Sequence, residues 1–243
     1  MEDNLMNSEV FSIKAKKEHI GFAAKQEETL YFFYIEKSWI RYGQYIFERF
    51  IKEHDVSSVF FQTSDTFLVS LVCDWEFEKK KGAYFFLDIG RAPKPSDIPQ
   101  TYIFRAAKEE DIDIIQQHTG DFFDNLEKRI EEGTIYMLLD ENMLLGCGII
   151  EYGRLFKKYG SIGMITCKGH RKKGVAQLIL WNLKEICYQR GITPISGCWY
   201  YNTLSRRTLE KANMISVVRG MRANLSGKEN IPERTGNPPG EEV

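Results

Sequence analysis

A basic turn between a strand-like and a helix-like segment is the part of this sequence best suited to chemistry. The segment Met164–Ala176 passes from apolar residues through Arg171, Lys172 and Lys173 to Gly174. A helix that begins there has unpaired N–H groups and the positive end of its dipole, which together bind phosphate oxygens. Glycine lets a ligand approach the backbone. The segment therefore predicts a site for a pyrophosphate or a 3′-phosphate, with the three cations adding positive charge.

A plain reading of the same segment stays open, namely a helix start preceded by a solvated basic turn. Two familiar phosphate-binding motifs are excluded by the residues present. No G-K-[ST] follows the glycine, and the G-x-G-x-x-G dinucleotide fingerprint is missing. The predicted elements on either side of the turn are needed to distinguish a phosphate site from a simple helix start.

Those elements follow a regular order from Tyr102 onward. The turn lies between a predicted strand at 161–167 and an amphipathic helix at 174–190, and another strand is predicted at 195–201. Hydrophobic periodicity predicts the order β-α-α-β-β-β-α-β-α-β. The other predicted elements are strands at 102–106, 134–139, 144–152 and 215–223 and helices at about 109–118, 121–132 and 203–213.

The first part of the chain reads as a smaller α+β unit. Strands are predicted at 29–35, 57–62, 67–75 and 83–89, with a helix beginning after Ser38, and Lys79–Lys81 reads as a solvated hairpin turn. Three of the seven prolines fall between Arg91 and Pro99, which indicates a linker. The predicted organisation is an N-terminal α+β domain (1–92), a linker (93–101), a second domain with a mixed α/β sheet (102–225) and a flexible tail (226–243).

Composition narrows the class of protein. The chain has 243 residues, with 33 Lys and Arg against 34 Asp and Glu. A formal net charge of -1 gives no general field for nucleic acid or an anionic membrane, so neither is an expected partner. Five cysteines without a C-x-x-C pair indicate reduced thiols. We find no signal segment and no apolar run of the roughly 20 residues that span a bilayer, so a cytoplasmic protein is expected.

Two motifs in register give the second domain a family resemblance. The basic turn is similar to the phosphate loop of the GNAT superfamily of acyl-CoA N-acyltransferases, Arg/Gln-x-x-Gly-x-Gly/Ala. The superfamily's second motif, Asn-x-x-Ser/Ala before a helix that ends in Glu-Lys-x-Gly-Phe, has its counterpart at Asn202–Ser205 and Glu210–Met214, with Asn213-Met214 in place of Gly-Phe. The predicted order of elements is also the GNAT order, and further positions resemble a bacterial two-domain group. The phosphate-loop residues are Arg171, Lys172, Lys173, Gly174, Val175 and Ala176.

The resemblance implies a mode of cofactor binding. The strand before the loop should splay from the strand Ile195–Trp199, so that the pantetheine arm of acetyl-CoA pairs with exposed backbone. The acyl carbonyl would meet a backbone N–H among Ile165, Thr166 and Cys167. Asn202 and Ser205 would lie beside the cofactor arm, although Asn202 also suits the role of a helix N-cap, and both roles can coexist.

Proton transfer needs a base for the acceptor amine and an acid for the departing thiolate. Many GNAT enzymes use a Glu on a central strand and a Tyr seven positions after the Asn, but that position here is Leu209. Glu151 is the candidate base, with an exposed strand-end residue as the alternative. Tyr200 and Tyr201 are the candidate acids, with simple packing as the alternative.

The other reactive side chains carry weaker hypotheses. Cys167 lies near the expected acyl position, where a small buried residue is the favoured reading over a nucleophile. His170 is expected to pack or to contact phosphate. No spacing of ligands predicts a metal.

The resemblance implies an acetyltransferase that uses acetyl-CoA and a small amine, amino acid or peptide terminus as acceptor. The alternative is an acyl-CoA-binding sensor without turnover, which the missing tyrosine motivates. Both a monomer and a homodimer stay open.

Overall fold

A computed structural model describes residues 2–96 and 98–225. The tail expected at 226–243 and Asp97 of the expected linker lie outside the described residues. The described chain forms two compact units. Of the described residues, 2–83 and 218–225 belong to unit 1 and those between Tyr84 and Val217 to unit 2. The domain boundary expected at 93–101 stays a prediction, because compactness in space and a boundary along the chain are different properties.

The described part of the first half contains three α-helices and five strands. They are α1 (Glu2–Met6), β1 (Glu9–Ala15), β2 (Glu18–Gln26), β3 (Thr29–Ile35), α2 (Gly43–Glu53), β4 (Ser58–Gln62), α3 (Thr66–Cys73) and β5 (Glu78–Asp88). The elements of the second half are β6 (Tyr102–Ala106), α4 (Ile112–Thr119), α5 (Leu126–Glu131), β7 (Ile135–Asp140), β8 (Met143–Tyr152), β9 (Tyr159–Thr166), α6 (Val175–Gln189), β10 (Thr193–Trp199), α7 (Thr203–Lys211) and β11 (Met214–Asn224). The order of elements predicted from Tyr102 onward is confirmed.

Unit 2 is a mixed sheet with an apolar core on each face. Its strand order is β5-β10-β9-β8-β7-β6, with antiparallel pairs from β6 to β9 and a parallel pair between β9 and β10. One core includes Ile150, Ile162 and, from α6, Leu178, Ile179 and Leu183. The residues of α6 recur at helical spacing, so one stripe of the helix packs on the sheet. The other core joins the opposite face to α4 and α5, through residues such as Ile115, Ile130, Met137, Cys147 and Ile149.

Unit 1 has the strand order β1-β2-β3-β4-β11. Its core consists largely of aromatic and β-branched side chains, among them Phe33, Phe47 and Ile51, which are almost fully buried. The rings of Phe33 and Phe47 meet edge to face with centroids 5.1 Å apart, a favourable geometry. This core buries several of the aromatic residues in the first half of the sequence.

The two halves of the chain repeat one arrangement of elements. The series β1-β2-β3-α2-β4-α3-β5 and β7-β8-β9-α6-β10-α7-β11 have the same order, β-β-β-α-β-α-β. In each series the third and fourth strands form a short parallel pair, Thr29–Ser58 and Leu30–Val59 in the first. The last strand of each series enters the other unit, since β5 contributes to unit 2 and β11 to unit 1. The sequence carries no visible repeat, so this duplication is a structural finding.

Two expectations for the first half were wrong. The segment 67–75, predicted as a strand, is mainly the helix α3, whose N-cap Asp65 accepts a hydrogen bond from Leu68 N–H at 3.0 Å. Lys79–Lys81, predicted as a turn, lies within β5. Unbroken apolar runs and charge runs carry no period, which explains why both were misread. Among the described residues, no helix is long and apolar enough to cross a membrane.

Candidate functional site

Strands β9 and β10 separate part of the way along their length. Their parallel register joins Tyr159–Ser161 to Thr193–Ile195 and ends there. At the next position the buried hydroxyl of Ser196 donates a hydrogen bond to Ile162 O at 2.7 Å, so a side chain takes over from backbone pairing. We call this point the fork. The splay expected between the two strands is confirmed.

The backbone of β9 alternates between β8 and the open side of the fork. Cys167 N–H donates to Leu145 O at 3.0 Å, and Cys147 lies opposite Ile165 in the antiparallel register. In such a pair, alternate residues direct their N–H groups toward the neighbouring strand. Ile165 and Cys167 therefore face β8. Of the three positions predicted to meet an acyl carbonyl, Thr166 is the one whose N–H is directed away from β8.

The loop that follows β9 forms the start of α6. A short 3-10 turn at Lys168–His170 leads to Lys172 and Gly174, which have φ of 63° and 80°. The first helical hydrogen bond runs from Leu178 N–H to Gly174 O at 3.0 Å, so the N–H groups of 175–177 precede it. Apart from its chain neighbours, no protein atom lies within 4 Å of a Cβ added to Gly174. The left-handed φ, rather than crowding by the protein, is thus what favours glycine here.

The predicted basic residues surround this helix start. Arg171, Lys172 and Lys173 are exposed, Val175 is buried and Ala176 is half-buried. The Nε of Arg171 lies 3.5 Å from Thr166 O, which ties the loop to the end of β9. The structure therefore brings the cations, the helix N–H groups and the open side of β9 together at one end of the fork.

Asn202 and Ser205 lie in the turn between β10 and α7. The Oδ1 of Asn202 accepts a hydrogen bond from Ser205 N–H at 3.1 Å, which makes Asn202 the N-cap of α7. The capping role offered as an alternative is thus present. Contact of either residue with a cofactor arm stays a prediction.

Glu151 lies on β8 beside the closed end of the fork and away from Thr166. Its carboxylate is 44% exposed and forms an ion pair with Arg129, at 2.9 Å between Oε1 and Nη1. It is opposite Ser161, where β9 and β10 still pair, and the five residues from there to Thr166 span about 17 Å. The role of base stays a prediction, and the geometry places this carboxylate away from the open side of β9.

The two candidate acids differ in their surroundings. Both tyrosines lie just beyond β10, which ends at Trp199 rather than at Tyr201 as predicted. The half-buried ring of Tyr200 stacks on Tyr84, with centroids 4.8 Å apart and an interplanar angle of 11°. Tyr201 is 58% exposed, and its ring meets Trp199 edge to face. The family position of the acid, Leu209, is buried in the core.

The thiols near the fork are held in the neutral form. Burial raises the pKa of Cys147 to about 12, and burial also raises the pKa of Cys167. Both side chains pack in the core under α4 and α5. The reading of Cys167 as a small buried residue is therefore the one that the geometry supports. His170 is half-buried in the 3-10 turn, and the described residues contain no group of three or more His, Cys, Asp or Glu placed to hold a metal.

Three residues with defined contacts at this site were not found from the sequence. They are Ser196, which closes the fork, Tyr84, which stacks on Tyr200, and Arg206, which donates a hydrogen bond to Tyr84. A serine within a strand and an arginine on a helix give no signal by themselves. Tyr84 lies far from the motifs along the chain, and only the position of β5 beside β10 brings it close.

Comparison with known proteins finds a family match for the first part of the chain. Residues 1–89 match the family described as an acetyltransferase (GNAT) domain. No curated protein matches the chain. The family match falls on the first half of the chain, whereas the phosphate loop and the Asn202 motif lie in the second half. The two halves have the same order of elements.

Solved structures share the fold at low sequence identity. A GNAT-family acetyltransferase from Colwellia psychrerythraea is 16% identical, with a TM-score of 0.76 over 90% of this chain and 86% of that one. A GCN5-related N-acetyltransferase from Sphaerobacter thermophilus is 13% identical, with a TM-score of 0.63 over 85% and 76%. A tandem GNAT protein from the clavulanic acid biosynthesis pathway is 9% identical, with a TM-score of 0.61 over 89% and 82%.

These matches confirm the resemblance to the GNAT superfamily. The first 89 residues match a GNAT acetyltransferase domain by sequence, and the chain has the GNAT fold. The predicted fold class, a mixed α/β sheet of the GNAT type, is confirmed with it.

Proposed function

We propose that this protein transfers an acetyl group from acetyl-CoA to a primary amine without a covalent enzyme intermediate. The observation that carries the proposal is the fork. Strands β9 and β10 part at Ile162, and β9 continues from there into the loop that starts α6 at the left-handed Gly174, with exposed cations around it. An extended pantetheine chain and a pyrophosphate need these two features side by side.

Each part of the site has a chemical role in this proposal. Acetyl-CoA supplies a thioester whose carbonyl carbon accepts the amine. The N–H groups at 175–177, with Arg171, Lys172 and Lys173, hold the phosphates. Thr166 N–H donates to the carbonyl oxygen as negative charge develops, a contact that strengthens in the transition state. Holding both reactants in the fork supplies much of the remaining rate enhancement.

Proton transfers complete the reaction. The ammonium proton of the acceptor leaves through a water relay or a carboxylate such as Glu151, and the thiolate of CoA takes a proton from Tyr200 or Tyr201. Direct transfer is preferred over an acyl-cysteine because the pKa of Cys167 is raised by burial. The acceptor class that we propose is a small amine, an amino acid or a peptide terminus.

Release of free CoA thiol tests the proposal. The full chain is incubated with acetyl-CoA and a panel of primary amines, and the thiol is titrated with a chromogenic reagent. We expect amine-dependent release by wild type and at least a tenfold loss in Gly174→Glu, since a non-glycine residue at this φ costs about 1–2 kcal/mol and the new charge repels phosphate.

Gly169→Glu is the matched control. It adds the same charge five residues earlier, where no protein atom crowds a Cβ and φ is not left-handed. We expect it to keep most of the activity. Equal loss in both variants would mean that net charge, not the helix start, governs the site.

A sensor that binds acyl-CoA without turnover is the second candidate. Two observations favour it, namely the buried Leu209 in place of the family tyrosine and the ion pair that engages Glu151. It predicts tight binding of acetyl-CoA with no thiol release on any amine. Under the transferase proposal, Glu151→Gln lowers turnover while binding is retained.

A further inference from the structure

The side chains along β10 fall on two faces. Ser196 and Cys198 share one face of β10 because successive residues of an extended chain alternate, and Tyr200 lies in the turn that follows the strand. Cys198 and Tyr200 both pack against the core formed with α6 and α7. Trp199, on the other face of β10, and Tyr201, in the turn, are 63% and 58% exposed. Tyr200 is therefore the candidate acid that packs against the core.

Tyr84 is one of the core residues against which Tyr200 packs. It lies on β5, is 6% exposed, and its ring is parallel to that of Tyr200 with centroids 4.8 Å apart. Stacked rings restrict each other's rotation, so Tyr200 has less freedom than a tyrosine at an open strand end.

Arg206 fixes Tyr84 in turn. Its Nη1 donates a hydrogen bond to the hydroxyl of Tyr84 at 3.0 Å, and its guanidinium carbon lies 5.0 Å from the ring centroid. The Nε of Arg206 forms an ion pair with Glu210 at 2.9 Å. Arg206 follows the N-cap Asn202 by one helical turn, and its N–H donates to Asn202 O at 3.1 Å. The start of α7 thereby connects to the ring that holds Tyr200.

We propose that Tyr84 and Arg206 are positioning residues that select Tyr200, rather than Tyr201, as the group that protonates CoA. This inference rests on the proposed acyl transfer. As the bond between the carbonyl carbon and sulfur breaks, its electron pair goes to sulfur. The hydroxyl proton of Tyr200 moves to that sulfur. The acceptor nitrogen loses two protons as the ammonium becomes an amide; one restores the phenolate of Tyr200 through water and the other goes to solvent. A residue contributed by the first half of the chain thus serves the site in the second half.

Steady-state kinetics with acetyl-CoA and one active amine test the proposal, with the dissociation constant of acetyl-CoA measured in parallel. We expect Tyr200→Phe to lower kcat about a hundredfold with an unchanged dissociation constant. Tyr34→Phe, at an exposed tyrosine of β3, is the matched control and should keep kcat within twofold, and Tyr201→Phe should lower kcat far less than Tyr200→Phe. Tyr84→Phe keeps the stacked ring but loses the bond to Arg206, so it should cost three- to tenfold in kcat. Arg206→Met should cost the same, and Tyr84→Leu nearly as much as Tyr200→Phe.

Combined variants separate positioning from general damage. Tyr84→Leu with Tyr200→Phe should be no slower than Tyr200→Phe alone, and Tyr84→Phe with Arg206→Met no slower than either single change. Independent, multiplicative losses would overturn the proposal, as would an unchanged kcat in Tyr200→Phe. If Tyr84→Leu does not fold, the Tyr84→Phe and Arg206→Met variants still test whether these residues position Tyr200. Absence of turnover in wild type would instead refute the proposed function itself.

Discussion

At the scale of the residue, Lys184 is the least exposed charged residue in the part of the chain that the structure describes. It is 2% exposed on α6, its Nζ lies 2.6 Å from Oδ1 of Asp88, and it donates to Gly90 O at 2.9 Å and Ala212 O at 2.5 Å. We predict that Lys184→Met lowers the free energy of unfolding by about 3–5 kcal/mol, because it leaves the carboxylate of Asp88 buried without its cation. Urea denaturation measures this.

Two variants check that assignment. Adding Asp88→Asn to Lys184→Met should restore much of the stability, since the unpaired charge is removed. Lys52→Met breaks an exposed pair with Glu48 on α2 and should change the free energy by no more than about 0.5 kcal/mol. If Lys184→Met behaved like Lys52→Met, the buried pair would have no structural role.

Asp111 gives a residue-scale prediction for pH. Arg105 donates two hydrogen bonds to its carboxylate, at 2.6 and 2.8 Å, and these hold the pKa of Asp111 below its usual value. As the pH falls below about 4, Asp111 takes up a proton more readily in the unfolded state than in the native state. The free energy of unfolding therefore decreases until the pH has fallen past the pKa of Asp111 in the native state. We predict that the stability difference between wild type and Asp111→Asn is full at pH 7 and shrinks in this acid range. A difference independent of pH would show that the charge of Asp111 is not what Arg105 stabilises.

At the scale of the element, the fork depends on Ser196. Its hydroxyl is the group that satisfies Ile162 O where the pairing of β9 and β10 ends. We predict that Ser196→Ala lowers the free energy of unfolding by about 1–3 kcal/mol, because a buried carbonyl loses its donor. Ser70→Ala, which removes an exposed hydroxyl bonded to Thr66 O on α3, should have a smaller effect. Equal effects would mean that Ser196 does not close the fork.

The helices and strands of the second half were predictable because hydrophobic periodicity and turn residues indicate the same boundaries. Strand β6 (102–106) was predicted at its exact bounds, and the amphipathic helix α6 within one residue of either end. The segment 67–75 failed because its apolar run suits either a strand or a buried helix. The spacing of the buried residues Leu68, Leu71 and Val72, together with the cap Asp65, was the available signal for α3.

Only those parts of the site that are formed by residues adjacent in the sequence could be predicted. The basic turn and the cap at Asn202 could be read directly, because contiguous residues form them. The stacking of Tyr84 on Tyr200 and the contact of Ser196 with Ile162 join distant segments, so they depend on strand order. The ion pair of Glu151 likewise depends on the packing of α5 against β8.

At the scale of the whole molecule, the exchange of last strands makes each unit depend on both halves of the chain. Ala223 in β11 is fully buried in the core of unit 1, opposite Val59 of β4. We predict that Ala223→Asp lowers the free energy of unfolding by roughly 3 kcal/mol or more, because a carboxylate enters an apolar core. The neighbouring Asn224→Asp, at an exposed position, should change it little. Similar values for the two variants would contradict the placement of β11 in unit 1.

Binding of acetyl-CoA tests the central claim most directly. Calorimetric titration of acetyl-CoA into wild type, Gly174→Glu and Gly169→Glu, with ATP as the ligand control, separates the helix start from general charge effects. The fork and the left-handed Gly174 predict micromolar binding by wild type and by Gly169→Glu, and none by Gly174→Glu. Absence of binding in wild type, or equal binding by all three proteins, would contradict the claim that this fork holds an acyl-CoA.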